Sequence, residues 1–148
     1  ILDEPTIGLD PQARHLMWER LEDLRSRGTT MLLTSHYMEE VSRLTNRVLI
    51  LDEGKIVAQG DPGEMVADMI GSEVFEVADS PEKLDALEET LRSCKVDIER
   101  VADRLFIYAR EPCTELETMA IALRHVSKRP ANLEDLFLKL TGRTLREN

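Results

Sequence analysis

Two adjacent carboxylates, Asp3 and Glu4, follow the apolar pair Ile1-Leu2, and a third, Asp10, closes a run containing Pro5 and Gly8. An apolar strand that delivers acids at its carboxyl end places charge where open α/β sheets put their ligands. An Asp there suits Mg²⁺ and a Glu suits an attacking water, the two tasks that phosphoryl transfer asks of protein carboxylates. A second apolar stretch ends at Thr34-Ser35-His36, which sets an imidazole at an equivalent position. Alone, the Asp-Glu pair also fits a strand-to-loop junction with two solvated acids.

The elements that must carry these side chains follow from local chemistry. Asp10-Pro11 starts a helix, with Asp at N-cap and Pro at N1. Met17, Leu21 and Leu24 recur at helical spacing, and Gly28 supplies the C′ residue. Thr29 to Thr34 is β-branched and nearly continuously apolar, as in a buried parallel strand. Strand, helix and strand make a βαβ unit whose strands both end in polar residues. A short helix over Met38 to Leu44 and a hairpin follow. The hairpin's arms are Arg47–Asp52 and Ile56–Ala58, around the turn Asp52-Glu53-Gly54-Lys55. Asp61-Pro62-Gly63-Glu64 has a capping-box arrangement and opens a helix to about Ile70.

Gly71-Ser72 is the expected domain boundary, giving domains over 1–71 and 72–148. Beyond it, Val74–Val77 reads as a strand and Ser80-Pro81 caps a helix to about Cys94. Val96–Val101 and Leu105–Ala109 read as strands around Asp103-Arg104. Thr114-Glu115-Leu116-Glu117 is a further capping box opening a helix through Leu123, and 125–130 is a candidate fourth strand. The order is ferredoxin-like. A last helix carries Leu133, Leu136, Phe137 and Leu140 on one stripe. The fold class expected is α/β, with a small α+β domain second.

Composition narrows the partners. With 29 acidic against 19 basic residues the net charge is −10, and no basic run stands out. That opposes a phosphate-backbone-binding surface, so no nucleic acid is expected. No apolar run approaches the roughly 20 residues of a membrane span. A signal peptide is not expected, since residue 1 falls within an apolar strand, and the chain reads as a fragment of a longer one. Cys94 and Cys113 form no C-x-x-C pair and read as reduced thiols. Glu39-Glu40 reads as first-turn acids favoured by the helix dipole, Asp52-Glu53 as turn residues and Trp18 as core or domain-contact packing. His15 and His125 have no chemical context.

The run Asp3-Glu4-Pro5-Thr6-Ile7-Gly8-Leu9-Asp10-Pro11 resembles the Walker B motif and D-loop of ATP-binding-cassette (ABC) ATPases. Thr34-Ser35-His36-Tyr37-Met38-Glu39-Glu40 is similar to their switch-histidine segment, and Leu51 to Gly60 to the hairpin that follows. The resemblance covers residues 1–70. It implies a partial P-loop domain in which Asp3 holds the Mg²⁺ of Mg-ATP and Glu4 orients or deprotonates the attacking water. It further implies that His36 contacts the γ-phosphate, and that Asp10 lies where two nucleotide-binding domains sandwich ATP. The run from Pro130 to Arg143 resembles the tail of type-2 exporter ATPases, including the daunorubicin-resistance and nodulation-factor export families. In these a small accessory domain serves subunit contacts or regulation.

No G-x-x-x-x-G-K-[ST] phosphate loop and no L-S-G-G-Q-like signature occurs in the 148 residues. Without backbone amides and a Lys to cradle phosphates, this stretch alone is expected neither to bind ATP tightly nor to hydrolyse it. Its apolar faces and strand edges are expected to drive self-association. The resemblance implies the C-terminal half of an exporter's ATPase subunit. That subunit would work as a dimer with a separate membrane permease, in the cytoplasm at the inner face of the cell membrane. Two alternatives stay open: a soluble ABC-type ATPase, and a non-enzymatic regulatory or dimerisation module over 72–148.

Overall fold

The computed structural model describes residues 1–110, 116, 118 and 125–142. They form a mixed α/β protein with small sheets and five helices among the described residues. The chain divides into two compact units, residues 1–63 and 64–144. The Gly71-Ser72 step lies eight residues beyond that division.

In the first unit, β1 (Leu2–Asp3) and β2 (Leu33–Thr34) pair in parallel, with Leu2 opposite Leu33 and Asp3 opposite Thr34. Helix α1 (Pro11–Ser26) makes the crossover. Asp10 caps it as its residue type predicts, its Oδ1 accepting from Ala13 N–H at 3.0 Å. The second strand is shorter than Thr29 to Thr34, because the ladder cannot outlast its partner. Glu4 leaves the extended region at φ +46°, and pairing ends with Asp3.

The inward stripe of α1 also differs from the expected one. Trp18 and Leu21 are buried, while Met17 and Leu24 are 37% and 43% exposed. The reason is α2 (Met38–Leu44), whose Leu44 joins Trp18 and Leu21 in one core with half-buried Leu2, Met31 and Leu33. Contact with α2 turns the Trp18 side of α1 inward, so Met17 is left outside. Strands β3 (Val48–Asp52) and β4 (Lys55–Gly60) form the antiparallel hairpin, turning through Glu53 and Gly54 at φ +47° and +76°. Leu49, Leu51 and Ile56 stand exposed on it.

The division between units falls within α3 (Pro62–Met69). Its last turn reaches Gly71 at φ +106°, where a Cβ would lie only 2.8 Å from Ala109 O, so the position has room for glycine alone. Four antiparallel strands follow: β5 (Glu73–Ala78), β6 (Val96–Val101), β7 (Arg104–Ala109) and β8 (Val126–Pro130), in spatial order β6-β7-β5-β8. On one face Phe75, Val77, Leu105, Ile107 and Ala109 pack with Leu84, Leu87 and Leu91 of α4 (Pro81–Leu91) and with Leu116. The α4 helix ends three residues before Cys94, which packs half-buried against this core as a free thiol.

The other face carries Val74 and Tyr108, both buried. Helix α5 (Leu133–Thr141) lies on that side, with Lys139 Nζ 5.7 Å from the Tyr108 ring centroid and bonded to Asp97. Leu133 and Leu136 of the expected stripe are buried. Asn132 and Asp135 close a capping box at the N-terminus of α5. Thr114, Glu115 and Glu117 of the expected capping box, most of the helix expected after it, and Cys113 lie outside the described residues.

Candidate functional site

The carboxyl ends of β1 and β2 bring three of the four predicted site residues together. Parallel pairing sets Thr34 directly across from Asp3, and the Thr34 hydroxyl donates to Asp3 Oδ1. The next amide, Glu4 N–H, donates to Thr34 O at 3.1 Å and lies 3.2 Å from Thr34 Oγ1. Glu4 then takes its left-handed conformation, a state that costs an L-residue about 1–2 kcal/mol. Its carboxylate reaches across to the end of β2, where Glu4 Oε2 lies 2.9 Å from His36 Nδ1. An ionised carboxylate only accepts, so Nδ1 carries the proton of this bond and Nε2 is left for a ligand.

Both side chains are partly open to solvent, at 43% for His36 and 31% for Glu4. The His36 ring is held by its neighbour Tyr37, with ring centroids 4.3 Å apart, and the Arg14 guanidinium sits 4.4 Å from the Tyr37 ring. Ser35 Oγ accepts from Tyr37 N–H at 3.0 Å and fixes the turn between β2 and α2.

Asp10, the fourth predicted residue, is occupied as the N-cap of α1, and no hydrogen bond joins it to Asp3, Glu4 or His36. The donor set fits a hard cation that keeps most of its waters. Asp3 is an exposed single carboxylate, and no group of three or more His, Cys, Asp or Glu forms a metal cage among the described residues.

Two residues near the site were not singled out from sequence. Thr34 is one, and its place opposite Asp3 could be read only by fixing the register of the parallel pair. Glu40 is the other: it is fully buried, and its Oε1 accepts from Trp18 Nε1 at 2.9 Å. The signal available was its spacing from Val41 and Leu44 on the inner side of α2, which its charge concealed. Expected as a first-turn acid favoured by the helix dipole, it is also a buried anchor between α2 and α1.

Residues 83–142 match the family model described as nodulation factor export protein NodI, C-terminal domain. Across 99% of its length the chain is 48% identical to the Nod factor export ATP-binding protein I of Cupriavidus metallidurans, covering 48% of that protein. It is 45% identical to the protein of that name from Bradyrhizobium diazoefficiens, with 98% of this chain and 47% of the relative aligned. The Rhizobium etli relative is 42% identical over 98% of this chain and 46% of its own length. The chain therefore spans about half the length of the curated relatives it matches. Over nearly its whole length the chain is thus similar to the C-terminal half of an ABC ATPase, as the Nod factor export relatives show.

Proposed function

We propose that this chain is part of an ATP-hydrolysing subunit that powers export through a separate membrane permease. The observation that carries the reading is the joining of Asp3, Glu4 and His36 at the carboxyl ends of two parallel strands. The relatives' names, which speak of export and of ATP binding, support the transport half. The partial P-loop fold of residues 1–71 is supported by the βαβ unit, and the ferredoxin-like character of 72–148 by the order β6-β7-β5-β8. The subunit acts as a dimer at the inner face of the cell membrane, Asp10 lying at the contact between nucleotide-binding domains. Nucleic acid is not a partner of a chain with net charge −10.

Mg²⁺, when bound with ATP, would supply neutralisation of the charge that develops on the phosphates. Asp3 is the residue that would hold it, through water, as Mg²⁺ dehydrates reluctantly. Glu4 has Oε2 committed to His36, so Oε1 accepts the hydrogen bond of the attacking water and takes its proton as the oxygen attacks the γ-phosphorus and the bond from that phosphorus to the bridging oxygen breaks, ADP leaving with the electron pair. His36 steadies Glu4 through Nδ1–H, and in its doubly protonated form donates from Nε2–H to a γ-phosphate oxygen. The cradle of backbone amides and Lys around the phosphates comes from sequence outside these 148 residues, so the chain alone does not turn ATP over.

Glu4→Gln in the full-length subunit tests this. The amide keeps the size and a hydrogen-bond acceptor but not the base, and turnover is expected to fall by roughly 10²–10⁴-fold while ATP binding persists. Near-parental turnover would remove Glu4 from its role. Micromolar ATP affinity in the isolated 148-residue chain would sink the claim that it cannot act alone.

A further inference from the structure

We infer that Thr34 is the positioning residue for both acids of the site. Its hydroxyl fixes the Asp3 carboxylate, and its two oxygens anchor the backbone turn that carries Glu4 to His36. A hydroxyl has one proton to give and two lone pairs to receive. Here the proton goes to Asp3 Oδ1, while Oγ1, 3.2 Å from Glu4 N, shares that N–H with the Thr34 carbonyl oxygen at 3.1 Å. One side chain thus links the orientation of the proposed metal-holding acid to the left-handed backbone of the proposed base.

The need for such a link is physical. Asp3 is exposed and belongs to a two-residue strand, so little packing holds its side chain. A bond to Oδ1 restricts the carboxylate's rotation and leaves Oδ2 to face a metal-bound water. Thr suits the task better than Ser, because β-branching stiffens χ1 and keeps the hydroxyl turned toward β1. Val matches its shape and lacks the hydrogen bond. Partners that orient a ligating group in this way typically contribute 10–100-fold to metal affinity.

The inference rests on the reading of Asp3 as the metal-holding residue, and the test separates the two. Mn²⁺ replaces Mg²⁺ as a paramagnetic probe, titrated into the full-length subunit with ATP and followed by electron paramagnetic resonance. Thr34→Val is expected to weaken Mn²⁺ binding by roughly 10–100-fold. Thr34→Ser restores most of it, and ATP affinity measured in chelator without metal is the same in all three proteins. Thr34→Ala gives the same reading if the valine variant fails to fold. Parental Mn²⁺ affinity in Thr34→Val, alongside loss in Asp3→Asn, would overturn the inference while leaving the site reading intact. Parental Mn²⁺ affinity in Asp3→Asn would overturn both. Equal weakening of metal-free ATP and Mn²⁺ binding in Thr34→Val would reduce Thr34 to a general structural role and also overturn the inference.

Discussion

Replacing Arg129 with alanine should be among the most damaging single changes in the second unit, worse than removing its partner. Asp135 is 2% exposed and Arg129 29%, so the two ends of the pair sit in unequal surroundings. Arg129 donates from Nη1 to Oδ2 at 2.7 Å and from Nη2 to Oδ1 at 2.6 Å, and Asn132 N–H adds a third bond to Oδ2 at 2.9 Å. The guanidinium's two bonds to Asp135 also hold its pKa above its already high range. Arg129→Ala strips two charge-assisted bonds and leaves a carboxylate in a nearly dry site, a one-sided break that costs about 3–5 kcal/mol. The remaining Asn132 N–H and the helix N-terminus offset roughly 1 kcal/mol of that, so about 3 kcal/mol is expected.

Asp135→Ala also loses the capping box of α5, about 1 kcal/mol. The orphaned Arg129 can turn to water, however, so the total should be nearer 2 kcal/mol. Amide hydrogen exchange along β5 and β8 reads the loss locally, because α5 caps the face on which Arg129 and Val74 sit opposite each other. A cost for Arg129→Ala below about 0.5 kcal/mol, the range of ordinary surface changes, would refute the reasoning. So would a larger cost for Asp135→Ala than for Arg129→Ala.

Two further outcomes are expected. Glu40→Ala leaves Trp18 Nε1 buried without its acceptor and opens a cavity, which should cost about 2–4 kcal/mol in thermal or urea unfolding. Glu40→Gln keeps the acceptor and should stay within about 1 kcal/mol of the parent; equal losses in both would show that charge, not the Trp18 bond, matters. The hydrogen bond from Lys139, helped by the charges of Lys139 and Arg110, holds Asp97 below the usual carboxylate range. A depressed folded pKa adds stability above the unfolded value of about 3.9 and loses it as pH falls through the folded one. Asp97 is half-exposed, so the effect should not exceed about 1 kcal/mol, and Asp97→Asn should flatten the acid limb of a stability–pH curve by that amount. An unchanged acid limb would count against it.

Where a residue type forces one backbone state, the sequence was enough to read it. Asp10 before Pro11 caps α1 and Gly54 turns the hairpin, because each answers a local demand for a cap or a positive φ. What escaped were features decided by a neighbour distant in sequence. Met17 and Leu24 stay outside because α2 packs on the Trp18 side of α1, and Glu40 is buried because Trp18 Nε1 needs an acceptor. Neither demand exists until the two helices meet, so periodicity alone favoured Met17 and Leu24.

The candidate site falls between these cases. Residue types alone point to Asp3, Glu4 and His36, but types cannot say whether their side chains meet. Meeting depends on register and on one strained residue. Parallel pairing puts Thr34, not Leu33, opposite Asp3, and a one-residue slip would send the hydroxyl to the other face. Glu4 would continue β1 if it stayed extended, and its side chain would then point to the face opposite that of Asp3. Its turn to φ +46° instead carries the carboxylate to His36 at 2.9 Å. A left-handed Glu persists only where its surroundings over-determine it, and here the amide of that same residue is held by both oxygens of Thr34. The chemistry of the pair is written in residue types; its geometry is imposed by the strand 30 residues away.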